Sequence, residues 1–281
     1  MAAAFRTATI YEPTATGLPE LRPYVTQLWQ RRRFVWHLAR TDLKAEHYDT
    51  AIGQLWVILD PLLMAGVYFF FRSVIRPAAS TVDRNAILSH LLWAVFFFTY
   101  TSNALSAGAR SLLQGRALIL NSSFPRAALP TVAILKSALD FLPTLVVYFL
   151  LHAILGQTFG LSLVVVPLLI GIQTVFNMGL ALLFAPLMVF FRDTGGFLPY
   201  LTRMWLYVSP ALYSIAEIPK QLKAWLMWNP LYPFFGALEQ AFSGHFPSNT
   251  YLLAATAWAM GFFLVGAVVF LARERDFAVR L

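Results

Sequence analysis

The sequence predicts an all-α membrane protein with six transmembrane helices, an N-terminal amphipathic interfacial helix, and a re-entrant helix pair between spans five and six. Of its 281 residues, 59% are hydrophobic, 16% aromatic and only 12% charged, and the mean hydropathy is +0.65. A soluble domain is roughly 45–50% apolar and about 25% charged, so this chain has too few polar residues to cover a globular surface. The composition therefore excludes a soluble enzyme.

Long apolar runs set the number of spans. Residues 141–191 contain no charged side chain. This stretch is far longer than the roughly 20 residues that one crossing needs, so we expect it to fold back at Gly156–Gly160. The predicted spans cover residues 55–74, 86–108, 129–155, 161–190, 197–215 and 250–272.

The two ends of the chain are predicted to be cytoplasmic tails, residues 1–53 and 273–281. The first 53 residues contain no apolar run typical of a signal peptide, so we expect the N-terminus to be retained. Within this tail, residues 25–45 place apolar side chains such as Trp29 and Trp36 on one helical face and basic ones opposite. That pattern is typical of a helix lying in the headgroup plane, where it either serves as a simple anchor or holds a neighbouring protein.

The segment between spans five and six, residues 217–245, has two short apolar stretches. Ala224–Trp228 and Leu231–Leu238 are separated by Asn229-Pro230, and proline stops helices by removing a donor and clashing with the preceding turn. Neither stretch is long enough to span. They are interpreted as two re-entrant helices, the alternative being an amphipathic loop on the surface.

The distribution of basic residues gives the orientation. The formal charge is +8, and 15 of the 21 Lys and Arg residues lie in the two tails and the second and fourth loops. Short cytoplasmic loops carry such an excess, so both termini are predicted to be cytoplasmic and the re-entrant pair to face outward. The basic balance therefore indicates membrane lipid, not nucleic acid, as the partner.

The residue content alone argues against several chemistries. Cysteine is absent and the histidines are scattered, which argues against disulfides and a metal site. The sequence has no phosphate-binding loop of the G-x-x-x-x-G-K-[ST] type. Lys136 and Asp140 are spaced to pair with each other near the cytoplasmic end of span three, which disfavours a proton relay.

The two cytoplasmic loops each place an aromatic residue beside a basic one. Residues 111–126 are predicted to form a short helix and a turn that exposes Phe124, and residues 191–196 form a second compact loop. These loops either pack between spans or dock a motor protein. Aromatic residues also crowd spans one, two and five, where they serve as interface anchors or packing, or offer flat faces to sugar C–H groups.

Three motifs in order resemble the membrane subunits of polysaccharide-exporting ATP-binding-cassette transporters, the Wzm-type permeases for O-antigen, capsule, teichoic acid and mycobacterial galactan. They are Thr41–Lys44 with Tyr48 and Ile52–Leu62, then Ser123–Arg126 with Leu129-Pro130, then Phe191–Asp193. The resemblance covers roughly residues 25–275. Glu46-His47 departs from the more basic residues usual before that tyrosine.

The resemblance implies a type-2 ABC exporter fold in which two copies of the chain form a channel above two nucleotide-binding subunits. This chain would hold no cofactor, and the partner subunits would bind ATP and Mg. The substrate would be a polyprenyl-diphosphate-linked polysaccharide that enters from the inner leaflet. Overall likeness favours the mycobacterial galactan exporter within the family.

The resemblance also implies roles for particular residues. The coupling residues would be Arg116, Phe124, Pro125, Arg126, Arg192 and Asp193. The channel-lining residues would be Tyr68, Phe69, Trp93, Phe97, Tyr100 and Tyr207. The outer gate would use Trp225, Trp228, Pro230, Tyr232 and Pro233. Arg31, Arg32 and Arg33 would meet the lipid diphosphate, or serve as a solvated basic face.

Two other functions are alternatives. A drug or small-lipid exporter would share the fold. A membrane glycosyltransferase would need convergent acidic side chains, for which the cytoplasmic candidates are Asp42, Glu46, Asp49 and Asp193.

Overall fold

A computed structural model describes residues 20–46, 55–75, 84–121 and 124–281. These residues are helical nearly throughout and contain no β-strand. Asp49, Ser123 and the part of the first-span motif between residues 47 and 54 lie outside the described ranges. The helices are α1 (Leu21–Gln30), α2 (Arg32–Glu46), α3 (Trp56–Ile75), α4 (Arg84–Gln114), α5 (Arg116–Asn121), α6 (Ala128–Ile154), α7 (Val166–Phe190), α8 (Thr194–Val208), α9 (Lys220–Leu226), α10 (Leu231–Phe242), α11 (Asn249–Arg273) and α12 (Phe277–Arg280).

Among the described residues, three helical stretches are long and apolar enough to cross a membrane, which makes the chain an integral membrane protein. They are Ala128–Ile154, Leu161–Phe190 and Asn249–Arg280. The second stretch begins with a 3-10 turn, Leu161–Val165, that leads directly into α7. The hinge predicted before it is present, since Gly156 adopts a positive φ of 71° and ends the preceding helix.

Helix α4 lies at the centre of the bundle. Its 31 residues span about 46 Å at 1.5 Å per residue, and every residue from Leu91 to Phe98 is buried. Tyr100 stacks on Phe141 of α6, whereas Ser89, earlier in α4, lies 3.4 Å from His152, later in α6. Helix α4 therefore runs antiparallel to α6.

The long helices α4, α6, α7, α8 and α11 alternate in direction. Tyr100 of α4 meets Thr174 of α7 and, further along both helices, Gly108 meets Ala181, so these two helices are parallel. Phe176 packs on Phe262, and Leu182, about 9 Å further along α7, lies beside Gly266, which makes α7 and α11 parallel as well. Helices α6 and α8 run the other way, since Gly195 at the start of α8 lies beside Met188 while Trp205 contacts Phe176.

The N-terminal segment differs from the single helix predicted over residues 25–45. It forms two helices that break at Arg31, and both contact the bundle, α1 through Tyr24 and Leu28 and α2 through its buried face. Val35 and Ala39 are buried on Ala128 and Val132 of α6. Trp29 on α1 remains 68% exposed. One part of the predicted apolar face therefore contacts protein, and another part is exposed.

The helix of the predicted fifth span is shorter than the pattern indicated. It ends at Val208, not at Ile215, because Pro210 cannot continue the ladder and the chain turns at Ser209. The turn is fixed by Asn229, whose amide nitrogen donates to the Ser209 hydroxyl at 3.1 Å. The Asn229 carbonyl accepts the Trp205 indole N–H at 2.8 Å.

Two short helices, α9 and α10, follow this turn. Helix α9 covers Lys220–Leu226 in place of the predicted Ala224–Trp228. Helix α10 begins at Leu231 as predicted but extends to Phe242, and all of its residues from Leu231 to Leu238 are buried. Helix α10 is thus inserted into the bundle and does not lie on its surface.

Candidate functional site

A cavity of about 800 Å³ opens between α2, α3, α4 and α6. It lies beside apolar helices yet much of its lining is polar. The polar lining residues are Asp42, Asp60, Thr99, Tyr100, Asn103, Ser106, Arg110, Ser111, Gln114, Lys136, Ser137, Asp140 and Thr144. Polar side chains inside a membrane bundle face the interior or a water-filled cavity and mark functional sites.

An aromatic pair forms part of the cavity wall. The rings of Tyr100 and Phe141 stack with centroids 4.7 Å apart and an angle of 14° between their planes. The Tyr100 hydroxyl lies 2.7 Å from the Thr174 hydroxyl on α7, which fixes the orientation of the ring. Trp56, at the start of α3, lines the opposite side and is 42% exposed.

The charges in the wall include a paired lysine and aspartate. Lys136 Nζ lies 3.1 Å from Asp140 Oδ2, which confirms the predicted pairing. Asp42, Asp60 and Arg110 also line the cavity. Hydroxyls, amides, paired charges and exposed aromatic rings are the groups that bind a hydroxyl-rich ligand, through hydrogen bonds and C–H contacts with ring faces.

The two predicted coupling segments lie at the same end of the bundle. One apolar cluster joins Leu112 and Ile119 around α5 to Val189 at the end of α7 and to Phe277 of α12. Around this cluster, the side chain of Arg116 is exposed. Arg192 and Asp193, which follow α7, are exposed as well.

Phe124 is not the exposed knob that the sequence predicted, and that prediction was wrong. The side chain is half-buried between two apolar clusters, and its ring meets the edge of Phe34 on α2 at 6.2 Å. Pro125 is buried too. The pattern analysis assumed a loop surrounded by solvent, whereas α2 covers it.

A polar contact at this end was missed by sequence analysis. The Glu274 carboxylate accepts the Arg126 backbone N–H at 2.8 Å and the Tyr24 hydroxyl at 3.0 Å through the same oxygen. The Arg126 guanidinium donates to the Glu274 carbonyl, and the Ala127 N–H donates to the Tyr24 hydroxyl oxygen at 3.2 Å. The partners are as many as 250 residues apart, so no local pattern could reveal the contact.

The Tyr24 hydroxyl is the shared group of this contact. Burial raises the pKa of the Tyr24 phenol above its usual value, and the nearby Glu274 carboxylate raises that pKa further. The phenol therefore stays protonated and donates to Glu274 throughout the physiological range of pH.

The six aromatic residues predicted to line a channel occupy different environments. Trp93 and Phe97 are buried in the packed interior, whereas Tyr100 lines the cavity. Tyr68 is half-buried and hydrogen-bonded to Tyr207. Among the others, Phe69 is half-buried and Tyr207 is 55% exposed.

The predicted outer-gate residues divide into an exposed and a buried set. Trp225 and Trp228, in and after α9, are 76% and 77% exposed. Tyr232 and Pro233, in α10, are buried, and Pro230 is half-buried.

Arg31, Arg32 and Arg33 are all exposed at the break between α1 and α2. The Arg32 guanidinium lies 5.1 Å from the centroid of the Trp29 ring. A cation held over an exposed tryptophan suits a membrane interface, where the ring lies among headgroups.

Phe242 is a second residue that sequence analysis missed. At the end of α10 its ring contacts Trp93 at 5.4 Å, Tyr148 at 4.9 Å and Phe97 at 6.3 Å. It thereby joins α4, α6 and α10 at the end of the bundle opposite Glu274.

Fold and site together define a helical integral membrane protein with a polar cavity among its apolar helices. No family model matches the chain. Its sequence is, however, similar to that of curated transport proteins over most of its length.

These relatives are permeases of export systems. The chain is 26% identical to the O-antigen export system permease protein RfbA of Myxococcus xanthus over 258 residues, which are 90% of this chain and 97% of the relative. It is 29% identical to a protein of the same name from Klebsiella pneumoniae over 69% of this chain and 74% of the relative. It is 27% identical to the polysialic acid transport protein KpsM of Escherichia coli over 64% of this chain and 69% of the relative.

The predicted resemblance to the permease subunits of polysaccharide exporters is confirmed by these similarities. The chain is a homologue of permease subunits, and its apolar helices agree with the transmembrane character that those names imply.

Proposed function

We propose that the chain is the permease half of an ATP-driven exporter of a polyprenyl-diphosphate-linked polysaccharide. The observation that carries the proposal is the polar cavity beside α4 in a homologue of O-antigen export permeases. Its hydroxyl, amide and aromatic groups suit sugar rings. A cell-wall galactan is the substrate that we favour, with O-antigen, capsule or teichoic acid as the wider class.

The proposed topology has six spans with both termini in the cytoplasm of a bacterium. The alternating directions of α4, α6, α7, α8 and α11 support it. The 15 Lys and Arg residues assigned to one side by the sequence support the orientation. Helix α8 covers only about 22 Å of the roughly 30 Å core, and the buried α10 beside it supports a re-entrant pair.

We propose that ATP is bound with Mg by a separate nucleotide-binding subunit, of which two copies join two copies of this chain. The contact would be made by the two segments at the Glu274 end of the bundle. Their exposed Arg116, Arg192 and Asp193 offer charges for docking. Phe124 and Pro125 would support this surface from beneath.

The lipid-linked substrate would approach between the interfacial helices and the cavity. The exposed Arg31, Arg32 and Arg33 would attract the diphosphate, while the sugars would contact the cavity. In the two-copy channel, Tyr68, Phe69, Tyr100 and Tyr207 are the proposed wall, and the buried Trp93 and Phe97 would support that wall from inside the bundle. Trp225, Trp228 and the start of α10 form the proposed outer gate.

The experiment is isolation of the chain from its own membranes in mild detergent, followed by reconstitution with the ATPase subunit that accompanies it. We expect ATP-dependent movement of lipid-linked glycan into proteoliposomes. Depletion of the chain in cells should lead to accumulation of the polymer on its lipid carrier, and sugar analysis of that polymer tests the galactan assignment.

Cavity variants test the site itself. Asn103→Leu removes an amide from the cavity wall, and we expect export to fall while the complex and its ATPase remain. Asn249→Leu, at the exposed start of α11, is the matched control. Export of drugs or small lipids without glycan, or sugar transfer by the chain alone, would contradict the proposal.

A further inference from the structure

We infer that Glu274 is a positioning residue that fastens the end of the first coupling segment to both α1 and the C-terminal turn. Movement of that segment is thereby passed to the interfacial helices. The inference rests on the proposed function, because the movement would come from the ATPase subunit. The group formed by Tyr24, Arg126, Ala127 and Glu274 is called the clasp below.

The clasp joins three parts of the chain that are distant in sequence. One carboxylate oxygen of Glu274 accepts from both α1 and the coupling segment, at 3.0 Å from Tyr24 and 2.8 Å from Arg126. The Tyr24 hydroxyl accepts in turn from Ala127. Tyr24 and Glu274 each bond two other members, and Arg126 and Ala127 are neighbours in the chain, so displacing one member displaces the rest.

The C-terminal side of the clasp is held by aromatic packing. Phe277 is fully buried, and its ring lies 5.2 Å from Phe270 of α11 and 6.4 Å from Phe190 of α7. The Arg280 guanidinium lies 5.2 Å from the Phe190 ring. Glu274 is therefore attached to a fixed part of the bundle.

The other side of the clasp leads to the cavity. Helix α1 continues into α2 through Arg31, which bonds the Gln27 and Leu28 carbonyls. Helix α2 supplies Leu38 and Asp42 to the cavity wall. A shift of the coupling segment is thus linked, through Tyr24, to the helix that borders the cavity.

Three variants test the inference in the complex with the ATPase subunit. Tyr24→Phe removes one donor and leaves Ala127 N–H without its acceptor. Glu274→Gln retains the shape of the side chain and one acceptor oxygen. Asp276→Asn is the matched control, since Asp276 is 51% exposed and pairs only loosely with Arg273 at 3.8 Å.

The first readout is the amount of glycan exported per ATP hydrolysed. One lost hydrogen bond of this kind corresponds to roughly a threefold to tenfold change in the clasped population. We expect export per ATP to fall by about that factor in Tyr24→Phe and less in Glu274→Gln, with binding of the ATPase subunit and its hydrolysis unchanged. Asp276→Asn should match the unaltered chain.

The second readout is a distance. Because the chain has no cysteine, Gln27→Cys on α1 and Ala117→Cys on α5 can carry spin labels without background. We expect the Gln27–Ala117 distance distribution to be narrow during turnover and to broaden in Tyr24→Phe. Diluting the labelled chain with unlabelled chain isolates the distances within one copy.

Outcomes for the clasp and for the proposed function are separable. An unaltered chain that neither binds an ATPase subunit nor exports glycan refutes the proposed function. If the unaltered complex is active, and Tyr24→Phe shows normal export per ATP and an unchanged distance distribution, the inference is overturned. If Glu274→Gln does not fold, Tyr24→Phe decides, because it removes one oxygen and retains the packed ring.

Discussion

The close contact of α7 with α11 at Gly179 allows a quantitative prediction. A methyl group added there would lie 2.4 Å from the Phe262 carbonyl carbon and the Phe263 nitrogen, and 2.7 Å from the Phe262 carbonyl oxygen. These are backbone atoms of α11, so no side chain can rotate away. Gly179→Ala must therefore push α7 and α11 apart.

The magnitude follows from that overlap. Ordinary carbon contacts are about 3.5–4.0 Å, so the helices must separate by roughly 1 Å. A gap of that size forfeits a quarter to a half of the dispersion energy along the contact, and overpacking typically costs about 1–3 kcal/mol. Small residues at such crossings supply much of the attraction between helices in lipid. We expect Gly179→Ala to lower the free energy of unfolding by about 2 kcal/mol.

The assay is unfolding of the detergent-solubilised protein during titration with a denaturing detergent, with the helical content monitored by circular dichroism. Gly171→Ala in α7 and Gly261→Ala in α11 are matched controls, since a methyl group at either position meets nothing within 4 Å. Both controls should be neutral or stabilising by up to ~1 kcal/mol, from helix propensity. If Gly179→Ala unfolds at the same midpoint as the controls, the close contact does not stabilise the bundle and the reasoning is wrong.

Three further predictions concern packing and polar contacts. Phe242→Ala should lower the free energy of unfolding by about 3–5 kcal/mol, since a cavity of roughly 100 Å³ at ~24 cal/mol per Å³ adds to the lost transfer free energy of the ring. Phe246→Ala, at a ring 65% exposed, should be neutral in the same unfolding assay. Asn229→Ala removes partners from the turn after α8 and should increase proteolysis there and lower stability by about 1–3 kcal/mol; unchanged cleavage would contradict it. Lys136→Ala should lower the free energy of unfolding by about 1 kcal/mol more than the double variant Lys136→Ala with Asp140→Ala does, after allowance for solvent. The reason is that the single variant removes the lysine but leaves the Asp140 carboxylate.

The apolar pattern predicted most of the helices. Apolar runs located both ends of α6 and α11 to within one residue, and the run 161–190 matches α7 together with the 3-10 turn before it. A membrane span needs a long apolar stretch whatever its neighbours. The i, i+4 spacing of Lys136 and Asp140 predicted their ion pair for the same local reason. Where the two coupling segments lie relative to each other depends on tertiary contacts, so the local pattern does not predict it.

The errors of the sequence analysis arose where tertiary contacts decide. Phe124 has the pattern of an exposed turn residue, yet α2 covers it. Helix α8 ends early because the turn at Ser209 is stabilised by Asn229, twenty residues further along. Glu274 lies among charged residues whose pattern is typical of a solvated tail, and only the fold brings it to Tyr24.

The clasp also bears on how the chain matures during synthesis. Tyr24 is made early, but the carboxylate that it binds is added 250 residues later. A nascent chain that has inserted every helix up to α10 still lacks this partner, and α1 remains without its final contact. Completion of the last helix and its terminal turn is therefore the event that joins the beginning of the described chain to its end.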